Sequence, residues 1–246
     1  MGANESYNWS GARIRKEVLP SLGQGDKFFT SVKATWRVPK VTLHGSKKDA
    51  RSAAWIGLDG GTWGLPDTPQ EVKVLHAGTY HRVYIDKNGD LQSKYFAFFG
   101  LDPGLKTDDP YLKLKRFKVK PFDTITVVLN YDQSKGAATA DFTGSSIARL
   151  PPQPISLPIV SGMITGYTVE WIFERISKDN DSHKPVYQGS YYPLGKHDVV
   201  HFRDAAAFTD QGNQVSPDQG DSISMFDPNQ LTHGTALLWE VQIKPH

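Results

Sequence analysis

The stretch VKVLHAGTYHRVYIDKNGDLQSKYFAFF, residues 72–99, reads as two strands joined by a turn. Val72 to Ile85 and Leu91 to Phe99 are rich in β-branched and aromatic residues, and the Asn88-Gly89 pair between them favours a tight hairpin. The same loop opens like a calcium loop, with Asp86, Asn88 and Asp90 at alternate positions. Leu91 stands where that loop needs its glycine and Ala97 where it needs its bidentate glutamate, so the plain turn is preferred. Working outward, Phe28 to Val38 alternates until Pro39, and Ala53 to Leu58 stops at Asp59-Gly60-Gly61. Further strand signals cover Thr124 to Tyr131, Ala137 to Thr143, Gly166 to Ile176, Val199 to Phe208, Ser222 to Phe226 and Ala236 to Ile243. Leu150 to Pro154 and Lys178 to Pro185 read as surface loops. No capped amphipathic helix and no internal repeat stands out. The expectation is an all-β chain: one domain over residues 1–246, with two packed antiparallel sheets forming a concave face.

Composition excludes several classes of function. With 38% hydrophobic residues the 246-residue chain can bury a sizeable core. Its 28 basic and 26 acidic residues are well mixed, leaving a net charge of +2 and no electrostatic case for nucleic acid or membrane as partner. Lys113, Lys115, Arg116, Lys118 and Lys120 interleave with Leu112, Leu114, Phe117 and Val119, as on the solvated face of a strand. Cysteine is absent, so disulfides, thiolate nucleophiles and cysteine-based zinc sites are all ruled out. Met1 to Gly11 has no apolar signal region and no run approaches a membrane span, so a soluble intracellular or cytoplasmic setting is expected, or a secreted one if a leader was removed. Gly2 with Ser6 matches a loose myristoylation pattern, and the sequons at Asn4, Asn8 and Asn180 are expected to be chance matches.

Four motifs carry a resemblance: Asn8-Trp9-Ser10-Gly11-Ala12, Ala34-Thr35-Trp36-Arg37-Val38-Pro39, Ala53-Ala54-Trp55-Ile56-Gly57-Leu58-Asp59-Gly60 and Val169-Glu170-Trp171-Ile172-Phe173-Glu174. In this order and spacing the chain resembles the glutamic peptidases, or eqolisins, from about residue 8 to 243. The resemblance implies a concanavalin-like, jelly-roll-like sandwich of two bent antiparallel sheets of seven strands each, with the active cleft on the concave face. It also implies cleavage of peptides at acid pH by a Glu general base beside a Gln that polarises the carbonyl. Glu170 falls on the Glu. The Gln belongs to a Leu-Gln-Thr-Gly strand, matched here by Leu75-His76-Ala77-Gly78, so His76 takes its place; Gln70 lies six residues too early. A second departure turns the family's Trp-Tyr-Glu-Trp into Phe98-Phe99-Gly100-Leu101, removing an acidic group. A weaker likeness, with no motif to quote, is to coloured proteins of mushroom fruit bodies.

Strand periodicity puts His76 and Tyr80 on one face and His81 on the other. A His76–Glu170 pair would join imidazolium to carboxylate near neutral pH and hold the Glu ionised, a poor start for activating water. His76 is read as a ligand contact, with a catalytic role and a purely structural buried histidine as alternatives. Trp55, Asp59, Tyr80 and Phe98 complete the candidate ligand set, although Asp59 reads equally as a turn residue before Gly60-Gly61. Trp9, Trp36, Trp171 and Trp239 read by default as core. His197 and His201 share a face by spacing but have no third ligand nearby in sequence, so no metal is assigned. No phosphate loop, Gly-x-Ser-x-Gly or His-Glu-x-x-His occurs. The functional expectation is a non-catalytic protein that binds a small molecule, flat and pigment-like, in a former peptidase cleft, with no cofactor besides that ligand. The alternatives are an acid endopeptidase acting on peptides through Glu170 and His76, and a carbohydrate-binding sandwich argued from architecture alone.

Overall fold

The computed structural model describes residues 5–6, 8–22, 25, 27–60, 73–102, 113–144, 154–178, 191–225, 232–237 and 240–245. Gln70, Trp239, the sequons at Asn4 and Asn180, and Gly2 lie outside them. Eighteen strands run along the described residues: β1 Glu5–Ser6, β2 Trp9–Arg15, β3 Phe29–Arg37, β4 Val41–Thr42, β5 Asp49–Leu58, β6 Val74–Ile85, β7 Leu91–Asp102, β8 Lys113–Lys118, β9 Thr124–Asp132, β10 Ala137–Gly144, β11 Ile155–Pro158, β12 Thr168–Arg175, β13 Lys196–His197, β14 Val200–Thr209, β15 Gln214–Val215, β16 Asp221–Met225, β17 Thr232–Leu237 and β18 Glu240–Pro245. Among the described residues, helical structure is confined to short 3-10 turns such as Lys16–Val18 and Pro217–Gln219. None of their helices is long and apolar enough to cross a membrane.

One hydrogen-bonded path orders the strands as β11-β10-β9-β3-β14-β18-β17-β16-β2-β12-β5-β6-β7-β8. It folds over between β17 and β16, giving two antiparallel sheets of seven strands each. The β6–β7 hairpin turns as its sequence predicts: Gly89 takes φ +89°, and the Asp86 carboxylate accepts from the N–H groups of Asn88 and Asp90, both at 2.9 Å.

Alternation decides what each sheet buries. On β6, Leu75, Ala77, Thr79, His81 and Val83 share the face toward the other sheet, where Leu75 and Ala77 join Ala34, Trp36, Val127, Leu129 and Phe202 in the main core. Two indoles cross between the sheets: Trp36 Nε1 donates to Thr79 Oγ1 at 3.2 Å and Trp171 Nε1 to the Lys33 carbonyl at 3.0 Å. Yet β6 is buried on both faces over Val74–His81. Its second face carries a smaller apolar cluster of Ala53, Trp55, Val74, Tyr80, Phe98, Ile172, Ile176 and Ile223, with Trp9, Phe96 and Tyr192 packed against it. That second face holds the candidate site.

Candidate functional site

Strand register builds the site. Gly57 on β5 pairs with Glu170 on β12 on one side and with His76 on β6 on the other. The row extends outward from Glu170 to Arg13 and Asp221, and from His76 to Gly100. Asp221, Arg13, Glu170, Gly57, His76 and Gly100 therefore form one line across six strands, with every side chain on the same face. Glu170 and His76 sit two strand spacings apart, about 10 Å between backbones. The carboxyl is wholly withdrawn from solvent and the imidazole is 3% exposed.

The next row is Ile223, Gly11, Ile172, Trp55, Gly78 and Phe98. Trp55 is the largest group in it, and two glycines make its seat. A Cβ on Gly57 would lie 2.7 Å from Trp55 Cζ3, and one on Gly78 would lie 2.2 Å from the Ala54 carbonyl oxygen and 2.5 Å from Trp55 Cβ. The indole thus leans over Gly57, between Glu170 and His76. Its Nε1 donates to Glu174 Oε2 at 2.8 Å, while Asn8 Nδ2 donates to Oε1 of the same carboxylate at 3.3 Å. The Trp9 ring meets Trp55 edge to face at 5.1 Å.

His76 packs edge to face against Trp55 at 5.5 Å and against Phe98 at 5.1 Å. Burial alone pushes its pKa down to about 3. The ring is therefore neutral across the physiological range, and His76 Nε2 and Glu170 Oε2 do not bond to each other. This corrects the expected imidazolium–carboxylate pair: Gly57 and the indole stand between the two groups, and desolvation outweighs any pull from the carboxylate. The charged neighbour of Glu170 is instead Arg13, whose guanidinium reaches Asp221 at 3.5 Å; Arg15 reaches the same carboxylate at 3.3 Å. Burial, reinforced by Arg15, lowers the Arg13 pKa, and Glu170 and Asp221 pull it the other way.

Asp59 takes φ +73° at the end of β5 and is 1% exposed. Its carboxylate accepts from the backbone N–H groups of Thr165, Gly166 (3.1 Å) and Tyr167 (2.6 Å) and from Thr165 Oγ1 (3.1 Å). It therefore clamps the loop that leads into β12 and positions Glu170 at a distance. Tyr80 stacks on Phe96 at 4.7 Å further along the same face. The four remaining candidates, Trp55, His76, Phe98 and Glu170, meet around Gly57. His197 and His201 do not meet: the first packs on Phe173 at 4.2 Å, and the second bonds to Glu240 Oε1 at 2.6 Å. Arg13 and Asp221 escaped the sequence reading, and Glu174 and Gly100 were quoted in motifs without being read as site residues. Arg13 alternates in phase with Gly11 in the first quoted motif, but its place beside Glu170 depends on a pairing between strands about 155 residues apart.

The sequence matches a family model, the peptidase A4 family, over residues 7–244. No curated protein matches the chain. Among solved structures it is similar to scytalido-glutamic peptidase with a transition state analog inhibitor, at 20% identity and TM-score 0.69. It is similar to the same peptidase with a peptide-based transition state analog, at 21% and 0.67. A third is SCP-B, a member of the eqolisin family of peptidases in a complex with the tripeptide Ala-Ile-His, at 20% and 0.65. Each likeness covers 98% of this chain and 99% of the other.

Proposed function

This chain belongs to the peptidase A4 family, and from that premise we propose that it uses the family's cleft to bind a small ligand and not to cleave peptides. The observation that carries the reading is the cross-strand pair His76–Gly100. By the resemblance, these positions would hold the polarising Gln and an acidic residue. Both departures therefore fall side by side: the larger imidazole stands opposite a residue with no side chain, and the carboxylate that would have charged it is gone. What remains is a neutral ring held between Trp55 and Phe98, a buried carboxyl, and an aromatic floor. A flat molecule with polar edge atoms suits that set, its body against the indole and its edge toward Glu170 and His76. A bare hydrocarbon would displace water from the buried carboxyl and offer it no hydrogen bond in return, at a cost of about 1–3 kcal/mol.

A second reading, an acid endopeptidase, draws on the retained Glu170 in register with a neutral His76, since an imidazole N–H can still donate to an oxyanion. The ligand reading is tested by comparing native and denaturing mass spectra of the protein purified from its natural source. The expected result is an excess mass that disappears on denaturation, and rebinding of the released compound weakened about tenfold or more by H76A and by E170A. Equal masses in the two spectra, or wild-type affinity in both variants, would overturn it.

A further inference from the structure

The face that carries His76, Trp55 and Tyr80 also carries a row of cations. Arg51 on β5, Arg82 on β6 and Lys94 on β7 are directly in register. Like charges opposite one another destabilise a sheet, so such a row needs an anion. Asp49 supplies one carboxylate: it accepts from Arg51 Nε and Nη2 at 3.3 and 2.9 Å, and from Arg82 Nε and Nη2 at 2.9 and 2.8 Å. That leaves a formal +2 on one row, as much as the net charge of the whole chain. Lys178 adds another cation nearby, 6.0 Å from the Tyr192 ring.

The groups are held in place. Arg51 stacks on Tyr192 at 3.6 Å and hydrogen-bonds the Tyr80 hydroxyl; Arg82 stacks on Tyr84 at 4.1 Å, with Lys94 at 5.5 Å from the same ring. Their guanidinium planes are therefore fixed by aromatic faces and by Asp49, while Arg82 Nη1 and Lys94 Nζ make no hydrogen bond among the described residues. Between this row and Trp55 lies the stacked Tyr80–Phe96 pair, an apolar surface ending at the cations.

We infer that this end of the cleft is an anchoring subsite for a carboxylate whose apolar body lies over Tyr80 and Phe96. The inference rests on the reading that this face is the binding face. His76 and Arg82 are six residues apart on one strand, about 20 Å. A short aromatic acid would occupy the cationic end alone, whereas an acidic peptide is long enough to reach the Glu170–His76 row as well.

Two matched pairs of probes test this by titration calorimetry: 2-naphthoate against 2-naphthamide, and blocked hexapeptides of otherwise identical sequence ending in Asp or Asn. The acid should bind roughly tenfold tighter than its neutral partner in at least one pair. That preference should shrink below twofold in R82Q/K94A, which keeps Arg51 on Asp49, and should fall as salt is raised. The pair that shows it identifies the carrier as a small acid or a peptide. Equal affinities within both pairs, or a preference that survives R82Q/K94A, would overturn the subsite. The acid-to-neutral ratio reports the cationic row, while the effect of H76A on overall affinity reports the Glu170–His76 reading, so either can fail alone.

Discussion

At position 76 an imidazole sits between two aromatic rings, and burial lowers its pKa to about 3. An imidazolium at this position near neutral pH, as the sequence suggested, would make ligand affinity change between about pH 5 and 8. Burial moves that titration down, so affinity should instead be flat from pH 8 to 5, as followed by calorimetry of the co-purified compound. The cross-strand neighbour gives a sharper test. Gly100→Glu places a carboxylate opposite the ring, and opposite charge at that range raises a histidine pKa by roughly one to three pH units. Histidine NMR titration of the variant should show His76 raised accordingly; an unchanged value would mean that the two positions do not share an environment.

Among the elements, β5, β6 and β12 do most to define the site, and Gly57 is its centre. Gly57→Ala would push Cβ to 2.7 Å from the Trp55 ring, displacing the indole from its seat between Glu170 and His76. Overpacking of this kind costs about 1–3 kcal/mol, so the variant should fold with a lowered melting temperature and lose ligand affinity. Retention of full affinity would separate the indole from the binding site. The strands themselves were legible in the sequence, because the β6–β7 turn and the alternation of Phe29–Arg37 are local signals. The Glu170 and His76 positions were legible through motif order. The cationic row was not, since Arg51, Arg82 and Lys94 align only once the register of three strands is set. Nor was the clamp of Asp59 on residues 165–167, which joins segments 106 to 108 positions apart. The opposed faces of β6 could be assigned from period 2, but not the burial of both, which depends on what covers the second.

For the whole molecule, the two sheets share one core and one continuous strand path, so we propose a single cooperative unit with one thermal transition. Its stability should depend on pH. His76 and His81 both titrate near 3 in the fold, pushed down by burial, against 6.5 ordinarily; burial lowers His197 as well. Between those values the unfolded chain binds the extra protons, so stability is fullest above about pH 6.5 and falls as pH drops toward 3. Each such histidine contributes up to about 1.4 kcal/mol per pH unit in that window. Asp59, raised by its burial, acts in the opposite sense. Melting temperatures measured from pH 7 to 4 should therefore decline, and His81→Gln should make the decline shallower; a slope unchanged in that variant would remove His81 from the account. A protein built this way is poorly matched to strongly acidic work, in keeping with the proposal that the cleft binds and does not cut. The direct measurement is proteolysis of denatured casein at pH 3 to 6 by the wild-type chain and by E170Q, with circular dichroism at each pH to establish that the sandwich is folded. The account predicts no cleavage by the folded wild type beyond the E170Q background; peptide products that appear with the wild type and vanish with E170Q would contradict it.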